Sequence, residues 1–137
     1  MFKFIHAADI HLDSPLHGLD AYEGAPVEEV RSATRRALSR MVSLALEERA
    51  DFVLIAGDVF DGDWKDFATG LFFNSEMSRL GNAGIPVFVV SGNHDADSRI
   101  TRGIEPPPNV QYFATDKPET KKIDDLRVAL HGMGYSR

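Results

Sequence analysis

Ile85-Pro86-Val87-Phe88-Val89-Val90, running directly into Ser91-Gly92-Asn93-His94-Asp95, decides how this chain folds. An apolar run of strand-forming residues ends in a tight polar turn that sets an amide, an imidazole and a carboxylate in succession. The same plan occurs twice earlier. Phe2 to Ala8 runs into Asp9-Ile10-His11, and Phe52-Val53-Leu54-Ile55-Ala56 runs into Gly57-Asp58-Val59-Phe60-Asp61. Three buried strands that each end in oxygen and nitrogen donors predict a parallel sheet with a metal site at its carboxyl edge, where open α/β sheets place their ligands.

Outward from those strands, the connections read as helices. Pro26 suits a first helical position, and Glu28 and Glu29 suit the first turn. The spacing predicts a helix from there to about Arg49, with Val27, Val30, Ala37, Met41, Leu44 and Ala45 as its buried stripe. Arg31, Arg35, Arg36 and Arg40 lie off that stripe and are expected on a solvated face, with phosphate contact as the alternative. Asp66 reads as the cap of a second helix reaching about Leu80, with Phe67, Leu71, Phe73, Met77 and Leu80 inward and Gly81 and Gly84 at its end. The order β-α-β-α-β implies right-handed parallel crossovers. Farther on, Asp97 to Gly103 reads as a short helical turn and Val110 to Phe113 as a short strand. Lys117 to Asp125 reads as a polar turn region, and Arg127 to His131 as a last strand.

Composition narrows the class. The 137 residues suffice for one domain with one core, and 43 % hydrophobic with 26 % charged residues is a globular balance. The absence of cysteine rules out disulfides and thiolate metal sites within these residues, and a cytoplasmic location is expected. Met1 to His6 is too short and too soon interrupted to read as a signal peptide. No apolar run approaches the roughly 20 residues that span a bilayer, so no membrane partner is expected. A net charge of −6 argues against a generally basic nucleic-acid surface. It leaves nucleic acid open as a substrate, because divalent cations in an acidic site reverse the local sign.

Each motif is ordinary alone, since Asp and His are common in turns and caps. Their joint occurrence, each behind a core strand, is what points to chemistry. Asp9 and Asp58 from neighbouring strand ends would repel unless a cation lies between them. Carboxylate, amide oxygen and imidazole without thiolate suit manganese, iron or zinc. A carboxylate at Asp58 could bridge two ions, the arrangement used for phosphoester displacement. His94 would then protonate or stabilise the leaving oxygen, with Asp95 orienting its imidazole.

Asp9-Ile10-His11, Gly57-Asp58-Val59-Phe60-Asp61 and Gly92-Asn93-His94-Asp95 together resemble the first three motifs of the calcineurin-like metallophosphoesterases. The opening Phe4-Ile5-His6-Ala7-Ala8-Asp9-Ile10-His11-Leu12-Asp13-Ser14-Pro15 is similar to SbcD-type DNA repair exonucleases. The resemblance implies an α/β fold, a metallophosphoesterase β-sandwich flanked by helices, represented by its β-α-β-α-β half plus further short strands. It implies Asp9 and His11 as ligands of a first metal, Asp58 as the bridge, Asn93 as ligand of a second, and His94 as catalytic, supported by Asp95. It further implies two divalent ions, manganese, a DNA substrate, an SMC-like ATPase partner and homodimerisation. Such proteins continue with another ligand histidine and a Gly-His-x-His motif, and neither follows before Arg137. Residues 1–137 are therefore expected to be the amino-terminal part of a nuclease domain without its later ligands and capping region, and to be inactive alone.

Other residues read more plainly. His6 and His131 are expected in strand or core positions rather than as ligands, and His17 as a loop residue. Asp13 and Asp61 suit turns or support of ligands. Phe60 and Trp64 are expected to pack over their loop, with base stacking as the sharper alternative. Two further functions keep the fold: a phosphoesterase for small phosphoesters or cyclic nucleotides, and a scaffold without catalysis.

Overall fold

Backbone pairing follows the apolar runs. The computed structural model describes residues 1–14, 26–61, 67–97 and 104–136. Strands β1 (Phe4–Ala7), β2 (Phe52–Ala56), β3 (Val87–Val90) and β4 (Val110–Tyr112) form one sheet in the order β1-β2-β3-β4. All three pairings are parallel, with Phe4 opposite Phe52, Val53 opposite Val87 and Val87 opposite Val110. Helices α1 (Val27–Glu47) and α2 (Phe67–Asn82) supply the crossovers between β1, β2 and β3. This is the mixed α/β arrangement expected from the sequence, a parallel four-stranded sheet with helices.

The two sheet faces have separate cores. On one, Val53, Ile55, Val87 and Val89 pack with Leu38, Val42 and Ala45 of α1 and with Phe73, Met77 and Leu80 of α2. Fully burying a side chain of this kind contributes about 1.5–3 kcal/mol. The stripe of α1 is therefore shifted from the expected one: Leu38, Val42 and Ala45 face the sheet, whereas Ala37 and Leu44 are exposed. Likewise Phe67 and Leu71 of α2 face outward, and the inward positions beside Phe73 go to Thr69, Gly70 and Glu76. Glu76 tolerates burial because Arg79 Nη1 donates to it at 2.7 Å.

On the opposite face Phe52, Phe88 and Phe113 form the second core, covered by Ile123, Leu126, Val128 and Leu130. That cover is an antiparallel hairpin of β5 (Glu119–Ile123) and β6 (Val128–Gly132) joined by a 3-10 turn at Asp124–Leu126. The sequence reading of Lys117 to Asp125 as a polar turn is thus corrected. Glu119, Lys121 and Ile123 turn inward, and Lys121 Nζ lies over the Phe113 ring at 5.4 Å. A long cationic side chain can cover apolar surface with its stem, so the strand needs few apolar residues. His131 of β6 is exposed and faces Thr120 Oγ1 at 2.9 Å, a strand position as expected but outside the core. His6 likewise sits on an exposed strand position.

Helix ends are set by left-handed residues. At the end of α2, Ile85 N–H donates to Leu80 C=O and Gly84 N–H to Gly81 C=O, with Gly84 at φ 76. This double bond pattern satisfies the last carbonyls and needs positive φ at the turn, where glycine carries no steric cost. The end of α1 has the same pattern: Ala50 N–H donates to Ala45 C=O and Arg49 N–H to Leu46 C=O. Here the left-handed position is Arg49, at φ 52. Arg49→Gly removes that penalty at an exposed site. It should raise the unfolding free energy by about 0.5–1 kcal/mol after the entropy lost to glycine in the unfolded chain. Urea denaturation with an unchanged m-value checks this, and a lower midpoint would contradict it.

Candidate metal centre

The strand pairing does not stop where the strands do. Asp9 N–H donates to Gly57 C=O at 3.1 Å, His11 N–H to Asp58 C=O at 3.0 Å, and Leu12 N–H to Val59 C=O at 2.9 Å. The Asp-x-His turn is thus fastened along the Gly-Asp-Val turn, and its side chains are aimed by that backbone. Asp9, His11 and Asp58 all adopt left-handed backbone, at φ 51, 44 and 52. Non-glycine residues take this region at a cost of about 1–2 kcal/mol each. Such strain gathers at functional sites. One ligand atom from each of Asp9, His11 and Asp58 lies within 4.8 Å of the others. These three could hold a divalent ion, and the carboxylate and imidazole donors suit a hard or borderline cation.

The third turn closes over this set. Asn93 opens α3 (Asn93–Asp97), and the next residue, His94, donates its backbone N–H to Asp58 Oδ1 at 3.0 Å. A Cβ on Gly92 would fall on the Asp58 carboxylate, 2.6 Å from the Asp58 nitrogen. Gly92 is therefore required by what stands next to it. α3 begins before the helical turn expected at Asp97 to Gly103, whose residues 98–103 lie outside the described ones. His94 and His11 meet edge to face, with ring centroids 5.3 Å apart. Both imidazoles are partly open to solvent, with side-chain exposures of 48 % for His94 and 34 % for His11.

The carboxylate beside these rings differs from the expected one. Asp95 was expected to orient His94, but its oxygens accept from Phe60 N–H and Gly92 N–H, each at 2.9 Å. Adjacent residues on a helical turn point in different directions, so Asp95 turns inward when His94 turns out. Burial raises the Asp95 pKa, against its backbone hydrogen bonds, and the nearby Asp58 charge adds to the rise. Its position makes Asp95 a tie between the second and third turns. Asp61 takes the place beside His94 instead: its Oδ1 lies 2.7 Å from His11 Nδ1 and 3.4 Å from His94 Nδ1. Contact through Nδ1 leaves His11 Nε2 for a metal. Burial alone would raise Asp61, but hydrogen bonds from Ser14 and His11 and the two imidazole charges outweigh it and hold the carboxyl below its ordinary 3.8.

Phe60 is buried and meets Phe73 edge to face at 5.5 Å, which leaves it no face for a base. His17, Trp64 and Asp66 lie outside the described residues. Arg35 keeps a side chain 37 % open to solvent, and its guanidinium pairs with Asp13, a buried carboxylate.

A family model for calcineurin-like phosphoesterases matches residues 2–133. The chain belongs to that family. Asp9, His11 and Asp58 are suitable donors for a divalent ion in such a phosphoesterase fold. The chain is 36 % identical over 135 residues to an uncharacterized metallophosphoesterase, YhaO, of Bacillus subtilis (strain 168), covering 96 % of this chain and 33 % of that protein. It is 37 % identical over 98 residues to the DNA double-strand break repair protein Mre11 of Aeropyrum pernix, covering 72 % and 22 %. With Mre11 of Sulfurisphaera tokodaii the identity is 28 % over 99 residues, covering 72 % and 24 %. The chain thus spans a third or less of these relatives. A solved dimetal phosphatase from Danio rerio is similar with a TM-score of 0.48 and 20 % identity, over 76 % of this chain and 36 % of that one. Among the described residues no helix is long and apolar enough to cross a membrane.

Two outcomes are expected from this geometry. Gly92→Ala should displace Asp58 and weaken divalent-ion binding by about tenfold or more, as read by calorimetry; unchanged affinity would show that the turns do not meet as described. In the metal-free protein, the lowered Asp61 pKa stabilises fully above its unfolded value of 3.8, and this is lost as pH falls through the lower folded value. Asp61→Asn should therefore flatten the acid limb of a stability–pH curve as pH falls below about 5. An acid limb as steep as the wild type's would count against the Asp61 contacts.

Proposed function

We propose that this chain carries part of the active centre of a divalent-metal-dependent phosphodiesterase that acts on DNA. The observation that carries the reading is the convergence of Asp9, His11 and Asp58 ligand atoms within 4.8 Å, roofed by the Gly92-Asn93-His94 turn. When bound, divalent ions supply Lewis acidity toward a phosphoryl oxygen. In this reading Asp9, His11 and Asp58 would hold the first ion, and Asp58 with the Asn93 amide oxygen would hold the second. His94, half exposed and across from His11, donates a proton to the departing oxygen at its imidazole. Asp61 sets the orientation of both rings, and Asp95 keeps the second and third turns together.

Manganese is the metal this reading favours. DNA as substrate is supported by the similarity to the two Mre11 proteins over 72 % of the chain and by the opening segment through Pro15. An SMC-like ATPase partner, a homodimer and a cytoplasmic location belong to the same proposal for the whole protein. So does a downstream region that supplies the remaining ligands and a DNA cap, without which residues 1–137 would turn over little substrate.

The test uses the whole protein with Mn2+, on linear duplex DNA and on bis(p-nitrophenyl) phosphate, with Asp58→Asn and His94→Ala alongside. His94→Ala should lower DNA turnover by about 10²–10⁴ while Mn2+ affinity stays near that of the wild type. Asp58→Asn should lose both. Hydrolysis of the small ester with none of DNA would overturn the DNA assignment in favour of a small phosphoester. Wild-type turnover in His94→Ala would remove that residue from the chemistry.

A further inference from the structure

The first ligand turn is gripped by a cluster around one buried carboxylate that takes no part in the chemistry above. Asp13 is 4 % exposed and is itself left-handed, at φ 55. Arg35 of α1 donates Nε to both of its oxygens at 2.9 Å and an Nη to Oδ2. Thr69 of α2 donates its hydroxyl to Oδ2 at 2.6 Å, and Asp13 N–H donates to Thr34 Oγ1 at 3.1 Å. The Arg35 guanidinium lies in turn over the Phe72 ring at 5.0 Å. One carboxylate thereby ties the turn to both helices, two residues beyond His11.

An ion pair with one partner buried is a poor source of stability, since desolvation of the charge offsets the attraction. What a multiply bonded carboxylate adds is direction, because each bond fixes an orientation. Direction is what this turn needs. Asp9, His11 and Asp13 are left-handed at every second position, at φ 51, 44 and 55. Such a backbone persists only where its surroundings over-determine it. The Asp58 and Val59 carbonyls hold it from the sheet side. The Asp13 cluster holds it from the helix side.

We propose that Asp13, gripped by Arg35 and Thr69, is a positioning residue that keeps the Asp9–His11 turn in its ligand-ready form before any ion arrives. This rests on the metal-centre reading, and the test separates the two. The measurement is NMR hydrogen exchange on the metal-free chain, comparing wild type with Asp13→Asn/Arg35→Gln, which leaves no unpaired buried charge, and with Thr69→Val. The amides of His11 and Leu12, which donate to Asp58 and Val59, should exchange about tenfold faster or more in both variants, while the Val53 amide on β2 keeps its rate. Calorimetry with Mn2+ should show about tenfold weaker binding in the same variants. Unchanged exchange at His11 and Leu12 would overturn the proposal. So would equal acceleration at Val53, which would make the cluster a support of the fold alone. Should the double variant fail to fold, Thr69→Val carries the same comparison. In the whole protein, a wild type that binds Mn2+ no better than Asp58→Asn refutes the metal centre, while the exchange pattern of the metal-free chain still decides whether Asp13 holds the turn.

Discussion

Two carboxylates brought to one sheet edge repel each other, and the top of this molecule is arranged around that constraint. Asp9 and Asp58 sit at the ends of adjacent parallel strands, so the sheet itself delivers them to neighbouring places. Nothing in an ordinary strand end would keep them there. The backbone of the first turn is fastened to the second by three successive hydrogen bonds, and the third turn gives its His94 N–H to Asp58. Asp95 then fastens the third turn to the second through Phe60 and Gly92. Electrostatic cost at the centre is met by backbone donors at the margin, and a bound cation would complete the balance.

The same arrangement separates residues by task in a way their types do not reveal. Among the described residues, the aspartates around the site fall into distinct tasks. Asp9 and Asp58 face one another with a histidine. Asp61 lies against two imidazoles in a partly open position, and its carboxyl is kept below the usual range. Asp95 is buried on backbone amides, and its carboxyl is pushed up. Burial presses both carboxyl groups upward; at Asp61 the hydrogen bonds from Ser14 and His11 and the neighbouring imidazoles outweigh it, and at Asp95 the backbone donors do not.

The sheet, its helices and the turns that bear Asp9, His11, Asp58 and His94 were legible because apolar runs of strand length ended in polar turns. What escaped was whatever depended on distant partners. The direction of Asp95 was misjudged because proximity in sequence to His94 suggested contact, whereas the helical turn sends neighbours apart. The partner of Arg35 escaped because Asp13 lies 22 residues away in a loop. Glu119 to Ile123 looked like a turn because only Ile123 is apolar there, while pairing to β6 and the cover over Phe113 make it a strand. The stripe of α1 was displaced because several registers of its alanines and leucines satisfy helical spacing, and only the sheet selects Leu38, Val42 and Ala45.

The parallel pairing of β1 with β2 has a further consequence for how the molecule comes into being. Its contacts are remote along the chain: the backbone N–H of Lys3 reaches the Asp51 carboxylate across 48 positions. Pairings of such high contact order form slowly, because the loop must close before any contact repays its entropy. The backbone donors of Asp9, His11 and Leu12 find their acceptors on the far side of that closure. A nascent chain therefore carries its donors separately and unpaired until the second strand docks. A cation that binds the joined turns draws the folding equilibrium forward by mass action, late in the process, and has nothing comparable to grasp before it.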